Sequence, residues 1–118
     1  MADAGLFIGW GEVVRGRETE ALEIFNETLA YYTRLQEEGT IENFEPVFLE
    51  PHGGDLNGFL LIRGDAEKLA SLRVSEEFTQ FATRATLIVD NFGIVGADLA
   101  ERLQRQMEYY TEQIGAYA

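Results

Sequence analysis

The segment 58–63, GFLLIR, is the part of the chain that decides the fold. It is a short apolar run between a glycine and an arginine, which is typical of a β-strand. Phe59 and Leu61 would point to one face of a sheet, whereas Leu60 and Ile62 would point to the other. Because an antiparallel sheet with one face in water carries polar residues at alternate positions, this strand predicts a sheet that is buried on both faces.

Three other segments have the composition of strands, namely 6–14 (LFIGWGEVV), 41–50 (IENFEPVFLE) and 86–95 (TLIVDNFGIV). Pro46 lies inside the second of them and has no N–H group for a ladder. We therefore expect that strand at an edge of the sheet. Leu87 and Ile88 put apolar side chains on both faces of the predicted fourth strand, as in 58–63.

Helical periodicity appears in the segments between and after these strands. Segment 18–38 has apolar residues at steps of three and four, which indicates an amphipathic helix that ends at Gly39. A second helical region begins after Asp65, which is suited to cap it, and is predicted to break near Arg73 and Val74. A last helix over about 98–115 has an apolar stripe composed of Leu99, Leu103, Met107, Tyr110, Ile114 and Tyr117.

The order strand, helix, strand, strand, helix, strand predicts an α+β protein with the ferredoxin-like βαββαβ arrangement and an added C-terminal helix. In that topology the first and third strands are central and the second and fourth are edges. We expect one domain over 1–118, with a core of about 6–96.

Composition excludes several classes of protein. The 118 residues include 21 acidic and 9 basic side chains, one His and no Cys, for a net charge of −12. Disulfides, thiolate metal sites and cysteine nucleophiles are therefore absent, and no metal or other cofactor is predicted. Strong negative charge disfavours nucleic acid and anionic membranes as partners. No apolar run approaches the length of a membrane span, and we expect a cytoplasmic protein.

The two-faced strands also predict an assembly. Two helices cover only one face of a sheet, so the second apolar face needs another partner. A homodimer that stacks sheet against sheet satisfies this requirement. The alternative is that the C-terminal helix folds under the sheet and covers it within one chain.

Segments 72–96 (LRVSEEFTQFATRATLIVDNFGIVG) and 51–65 (PHGGDLNGFLLIRGD), with the element order over 6–96, resemble the dimeric α+β barrel superfamily, in its uncharacterised bacterial branch. The resemblance implies ferredoxin-like subunits that join their sheets into one barrel. That superfamily includes small monooxygenases, haem-degrading enzymes, muconolactone-isomerase-like proteins and stress-response proteins. Because one fold carries these different chemistries, the resemblance does not choose among them.

Two groups of residues are candidates for a site. His52, in the turn 51–55, is a candidate catalytic acid–base group or axial haem ligand oriented by Asp55. The alternative is a turn histidine that is hydrogen-bonded to its own loop. Trp10 and Glu12 share a strand face, and if that face lines a barrel, Glu12 is a buried carboxylate with catalytic potential.

Arg63 and, on the predicted fourth strand, Asp90 and Asn91 are candidates for further polar lining around a ligand. We expect the protein to bind a small apolar or aromatic molecule, between sheet and helices or in the barrel. The alternatives are a cofactor-free monooxygenase or isomerase with His52 or Glu12 as the base, and a non-catalytic structural or interaction dimer.

Overall fold

A computed structural model describes residues 3–117. In chain order, the elements are β1 (Ala4–Trp10), α1 (Glu18–Glu37), β2 (Asn43–Phe48), β3 (Gly58–Gly64), α2 (Ala66–Arg73), α3 (Glu76–Thr86), β4 (Gly93–Asp98) and α4 (Ala100–Tyr117). The predicted interruption of the second helical region is confirmed, because α2 ends at Arg73 and α3 begins at Glu76. Asp65 caps α2 as expected, since its carboxylate accepts a hydrogen bond from the Lys68 N–H at 3.1 Å.

The four strands form one antiparallel sheet in the order β2-β3-β1-β4. This is the predicted ferredoxin-like arrangement, with β1 and β3 in the centre. Pro46 lies on β2, which is an edge strand. The N–H group that proline lacks would face solvent there, so no hydrogen bond of the sheet is lost. The fold class expected from the sequence is therefore confirmed.

The register of β1 against β3 places the core on one face of the sheet. Leu6 pairs with Ile62 and Ile8 pairs with Leu60, and all four side chains are buried. The helices cover this face with Tyr31, Tyr32 and Leu35 of α1, Leu69 and Leu72 of α2, and Phe78 of α3. This helix-covered side of the sheet is called the helix face below.

The predicted fourth strand was misplaced. The expected range was 86–95, whereas β4 runs from Gly93 to Asp98 and Thr86 is the last residue of α3. Residues 87–92 form a loop in which Val89 makes an isolated bridge to Val13, and Ile88 is buried beneath it. An apolar run this short does not distinguish a strand from a loop whose side chains close the core. The first strand is also shorter than 6–14, because β1 ends at Trp10.

The other side of the sheet is not covered by any helix. Phe7, Phe59, Leu61 and Val95 lie on it, and Val95 is 55% exposed. We call this side the open face. Phe7 and Phe59 stack there with their ring centroids 4.9 Å apart.

Helix α4 does not cover the open face, so the alternative in which it folds under the sheet is wrong. Among residues 100–117 no side chain is buried, and the helix packs mainly against β4. It is amphipathic, and no helix in residues 3–117 is long and apolar enough to cross a membrane. Two apolar surfaces of this chain, the open face and α4, are therefore left without a partner.

The packing of the helix face predicts the cost of a single deleted methyl group. Ile62 is fully buried, and we expect Ile62→Val to lower the free energy of unfolding by about 1 kcal/mol. Val74→Ala, at an exposed position between α2 and α3, is the matched control and should change it by less than about 0.5 kcal/mol. Urea denaturation followed by circular dichroism measures both. Equal effects of the two changes would contradict this assignment of the core.

Candidate functional site

A cavity of about 300 Å³ lies between the helix face of the sheet and helices α1 and α3. The sheet contributes mainly aliphatic and aromatic side chains, from Ile8, Trp10, Leu60 and Ile94. The helices contribute Phe25, Thr28 and Tyr32 from α1, and Phe78, Phe81, Ala82 and Ala85 from α3. The walls are therefore apolar, with alanines of α3 leaving the space that larger side chains would fill.

Three aromatic rings stand at one end of the cavity. Trp10 lies 6.1 Å from Phe25 and 5.9 Å from Phe48 between ring centroids, and Phe25 and Phe48 are 5.1 Å apart. Phe48 is 68% exposed, so this cluster lies at the mouth. Gly58 makes room for the indole, because a Cβ at that position would come within 2.6 Å of the Trp10 ring.

Tyr32 lies at the inner end of the cavity and is only 2% exposed. Among residues 3–117 the Tyr32 hydroxyl has no hydrogen-bond partner. Every side-chain oxygen or nitrogen atom in these residues that is fully shielded from solvent does have a partner. The hydroxyl must therefore still reach open space, and the space that Tyr32 lines is the cavity. Burial raises the pKa of this hydroxyl above its ordinary value, so the group is a neutral phenol at physiological pH.

Thr28 lies one helical turn before Tyr32 and also lines the cavity. Elsewhere on α1 and α3, the hydroxyls of Thr33 and Thr79 donate to the carbonyl four residues earlier. Thr28 makes no such bond among the described residues. Two hydroxyls on one face of α1 are thus available to a molecule in the cavity.

Two ion pairs join the helices that wall the cavity. Glu27 of α1 meets Arg84 of α3, and Arg34 of α1 meets Glu77 of α3. Their side chains are about half exposed, and pairs of this kind contribute about 0–1 kcal/mol each. They join α3 to α1 across the cavity and add little to the stability of the fold.

The structure separates the two residues that were predicted to share a barrel-lining face. Trp10 does line a cavity, but on the helix face rather than on the open face. Glu12 lies beyond the end of β1 and is exposed, so the expectation of a buried carboxylate is wrong. Gly11 follows the strand directly, and the Asp55 and Asp90 carbonyl oxygens would lie 2.8 and 2.9 Å from a Cβ at that position.

Glu12, His52, Asp90 and Asn91 line a second, more polar depression of about 480 Å³, formed by loops outside the cavity. His52 is hydrogen-bonded through both ring nitrogens: Nδ1 accepts from the Gly54 N–H at 3.2 Å, and Nε2 is 2.8 Å from the Leu56 carbonyl oxygen. This is the alternative considered above, a turn histidine bonded to its own loop. Asp90 and Asn91 lie in loop 87–92 and not on a strand, because β4 begins later than predicted.

Arg63 is on the open face of β3, away from the cavity. Its guanidinium donates to the Asn43 Oδ1 at 3.2 Å and pairs with Glu45 at 3.4 Å, both on the neighbouring β2. Arg63 thus links the edge strand to the centre of the sheet. Its role in ligand binding stays a prediction, because that role requires the open face to line the interior of a barrel.

Sequence reasoning assigned Tyr32 to the core and did not single out Thr28. One signal was present in the chain: a hydroxyl residue stands beside the apolar stripe of α1, four positions before Tyr32. The alanines of α3 carried no signal, because only the distance between α1 and α3 shows whether small residues leave a void. Within residues 3–117, no three His, Cys, Asp or Glu side chains are grouped so as to hold a metal ion.

Comparisons with solved structures support the fold. A dimeric protein of unknown function and ferredoxin-like fold from Bacteroides fragilis superposes with a TM-score of 0.58 at 12% identity, over 81% of this chain and 96% of that chain. SnoaB, a cofactor-independent oxygenase from Streptomyces nogalater, superposes with a TM-score of 0.53 at 18% identity, over 85% and 96% of the two chains. No protein-family model and no curated protein matches the sequence.

The chain therefore has a ferredoxin-like fold, which is the fold that the resemblance of segments 51–65 and 72–96 implied.

The raised pKa of Tyr32 predicts a loss of stability at alkaline pH. The unfolded chain releases this proton above about pH 10, whereas the folded chain retains it, so unfolding is favoured as the pH rises. One such group lowers the unfolding free energy by up to about 1.4 kcal/mol per pH unit. We expect Tyr32→Phe to reduce this slope in urea titrations above about pH 10, while Tyr117→Phe, at an exposed position, leaves it unchanged. Identical slopes in all three proteins would contradict the burial of the Tyr32 hydroxyl.

Proposed function

We propose that this protein is a homodimer of the α+β barrel type that binds a small, mainly apolar or aromatic molecule in the cavity between α1, α3 and the sheet. The observation that carries the proposal is the pairing of an apolar cavity with a buried, unpartnered hydroxyl at its inner end. Ligand sites commonly combine apolar walls with a few polar groups that orient the bound molecule.

The volume of the cavity sets the size of the ligand. An apolar protein cavity of about 150 Å³ is sufficient to bind benzene, and this cavity has about twice that volume. A molecule of two or three fused rings therefore fits. Trp10, Phe25 and Phe81 present ring surfaces on which such a planar molecule can stack.

The hydroxyls favour a ligand with one hydrogen-bonding group. Tyr32 can donate or accept, and Thr28 can do the same one turn away. An entirely apolar ligand would leave the Tyr32 hydroxyl unpaired and cut it off from water, which costs about 1–3 kcal/mol. A phenol, ketone or similar group at the inner end of the cavity removes this cost.

The open face supports the homodimer. Its apolar residues are left uncovered in one chain, and a two-fold axis covers the same surface on both copies at once. The similar protein from Bacteroides fragilis is described as dimeric. Since each chain carries a net charge of −12, the contact between two copies must be made by apolar surface rather than by charge.

Binding of 2-naphthol and of naphthalene tests the cavity and its hydroxyl. We expect both probes to quench the fluorescence of Trp10, the single tryptophan of the chain. Tyr32→Phe should weaken the binding of 2-naphthol about fivefold, because it removes one hydrogen bond. It should strengthen the binding of naphthalene about fivefold or more, because it removes the hydroxyl that an apolar ligand leaves unpaired. Ala82→Leu should weaken both probes about tenfold or more, since it fills the cavity with three extra carbon atoms.

Ala70→Leu is the matched control for the filling of the cavity. It makes the same change on the exposed side of α2 and should leave both affinities unchanged. If neither probe binds to the wild-type protein, the ligand-binding proposal fails and the non-catalytic structural or interaction dimer is favoured instead.

A second candidate is a cofactor-free monooxygenase or isomerase with Glu12 or His52 as the base. Two observations favour it: the fold is similar to that of SnoaB, which is a cofactor-independent oxygenase, and both candidate bases line one polar depression. Glu12 is the better candidate of the two, because its side chain is exposed, whereas both ring nitrogens of His52 are hydrogen-bonded within the loop.

Oxygen consumption with 1,4-dihydroxynaphthalene separates this candidate from a binding protein. An oxygenase that uses Glu12 should consume oxygen faster than the buffer alone, and Glu12→Gln should lower that rate about a hundredfold. Glu50→Gln, which removes another carboxylate that lines the same depression, is the control. A rate equal to that of the buffer excludes oxygenation of this substrate, whereas binding of 2-naphthol with no turnover supports a binding protein.

A further inference from the structure

We propose that α4 is an arm that packs its apolar stripe against a second copy of this chain. The inference rests on the proposed homodimer and adds a contact to it, because sheet stacking alone would leave α4 in water. The partner is thereby held by two surfaces, the open face and the arm.

The stripe of α4 is unusually exposed for apolar residues. Its five members are between 49% and 90% exposed, and they are Leu103, Met107, Tyr110, Ile114 and Tyr117. Their steps of three and four residues put them on one side of a helix about 27 Å long. At roughly 100 Å² for each side chain they form a patch on the order of 500 Å², which is in the range of about 300–600 Å² of the largest apolar patch on a monomer, and such a patch is often an interaction site.

The start of the helix holds α4 away from its own sheet. Leu99 is the single residue between β4 and α4, and its N–H donates to the Asp3 carbonyl at 2.9 Å. Its side chain lies over Gly5, where a Cβ would approach the Leu99 Cδ1 to 3.2 Å. Ala100 then adopts a positive φ of 47°, a conformation that non-glycine residues hold only where their surroundings require it. These restraints fix the direction in which α4 leaves the sheet.

Leu99 also makes the stripe continuous with the open face. Gly5 belongs to the open face, since it alternates with the buried Ala4 and Leu6 along β1. Leu99 covers it and begins the row that continues with Leu103. The two uncovered surfaces of the chain are therefore one apolar surface that the chain does not close upon itself.

A second copy of the chain fits this surface better than a charged partner does. A two-fold axis that joins the open faces brings the arm of each copy alongside the other copy, because the arm starts at the edge of the same surface. Four of the five charged residues of α4 lie on the opposite side of the helix and stay in water, namely Glu101, Arg105, Glu108 and Glu112. The fifth, Arg102, pairs with Asp98 at 3.4 Å at the start of the helix. The two chains, each with a net charge of −12, thus meet mainly through apolar side chains, and the charge of Arg63 on the open face is paired with Glu45 of the same chain.

Sedimentation equilibrium of designed variants tests the arm. Leu103→Glu combined with Ile114→Glu places two charges on the stripe, and we expect it to raise the dimer Kd about tenfold or more. Gln104→Glu combined with Ala116→Glu adds the same two charges off the stripe and should leave the Kd within about twofold. Val95→Glu, on the open face, should dissociate the dimer whether or not α4 contacts the second copy.

The outcomes distinguish the arm from the dimer itself. If Val95→Glu dissociates the protein while the stripe variant matches its off-stripe control, the arm is overturned and the homodimer stands. If the wild-type chain is monomeric at micromolar concentration, both proposals fall.

Hydrogen exchange gives a second measurement that needs no change to the stripe. The amides of residues 100–117 should be protected in the wild-type dimer and should exchange faster in Val95→Glu, since an isolated helix of this length is marginally stable. Equal protection of α4 in both proteins would overturn the arm. Circular dichroism and the Trp10 fluorescence show that each variant keeps its fold.

Discussion

The register of β1 against β3 is the constraint on which the rest of the structure depends. Leu6 opposite Ile62 and Ile8 opposite Leu60 put four large apolar side chains beneath the helices. A slip of one residue would exchange them for Phe7, Leu61 and their neighbours, and every side chain on both strands would change face. The same pairing therefore decides which side of the sheet holds the cavity and which side is left for a partner.

Each side of the sheet then takes a different task. On the helix face, Phe25 of α1 and Phe78 and Phe81 of α3 line a cavity together with the alanines of α3. On the open face, Gly5 and Gly9 leave room for the side chains of Leu99 and Leu56, which lie over them. Ligand binding and assembly are thus proposed for opposite sides, so a change on one side need not disturb the other.

Individual residues show how much of this was predictable. Pro46 predicted an edge strand because proline has no N–H. Strands that are apolar on both faces predicted a second layer, because exposure of the second apolar face to water is unfavourable. The loop 87–92 was read as a strand because a short apolar run looks the same whether it pairs with a neighbour or closes a core. Trp10 is a candidate site residue from the sequence, and only the structure places it on the helix face, since periodicity fixes which residues share a face and not which element covers it. Glu12 was expected to be buried, and the early end of β1 leaves it in water.

Local patterns in the sequence by themselves determined the element order, the central and edge strands, the break between α2 and α3, and the presence of more apolar surface than one chain can bury. These properties follow from hydrogen-bonding capacity and side-chain periodicity, which act over a few residues. Only the tertiary structure decided that Thr28, Tyr32 and Ala82 meet around an empty space, that His52 is bonded to its own loop, and that α4 leaves the sheet uncovered. Such features depend on the distance and direction between elements far apart in the chain, and no local pattern carries that information.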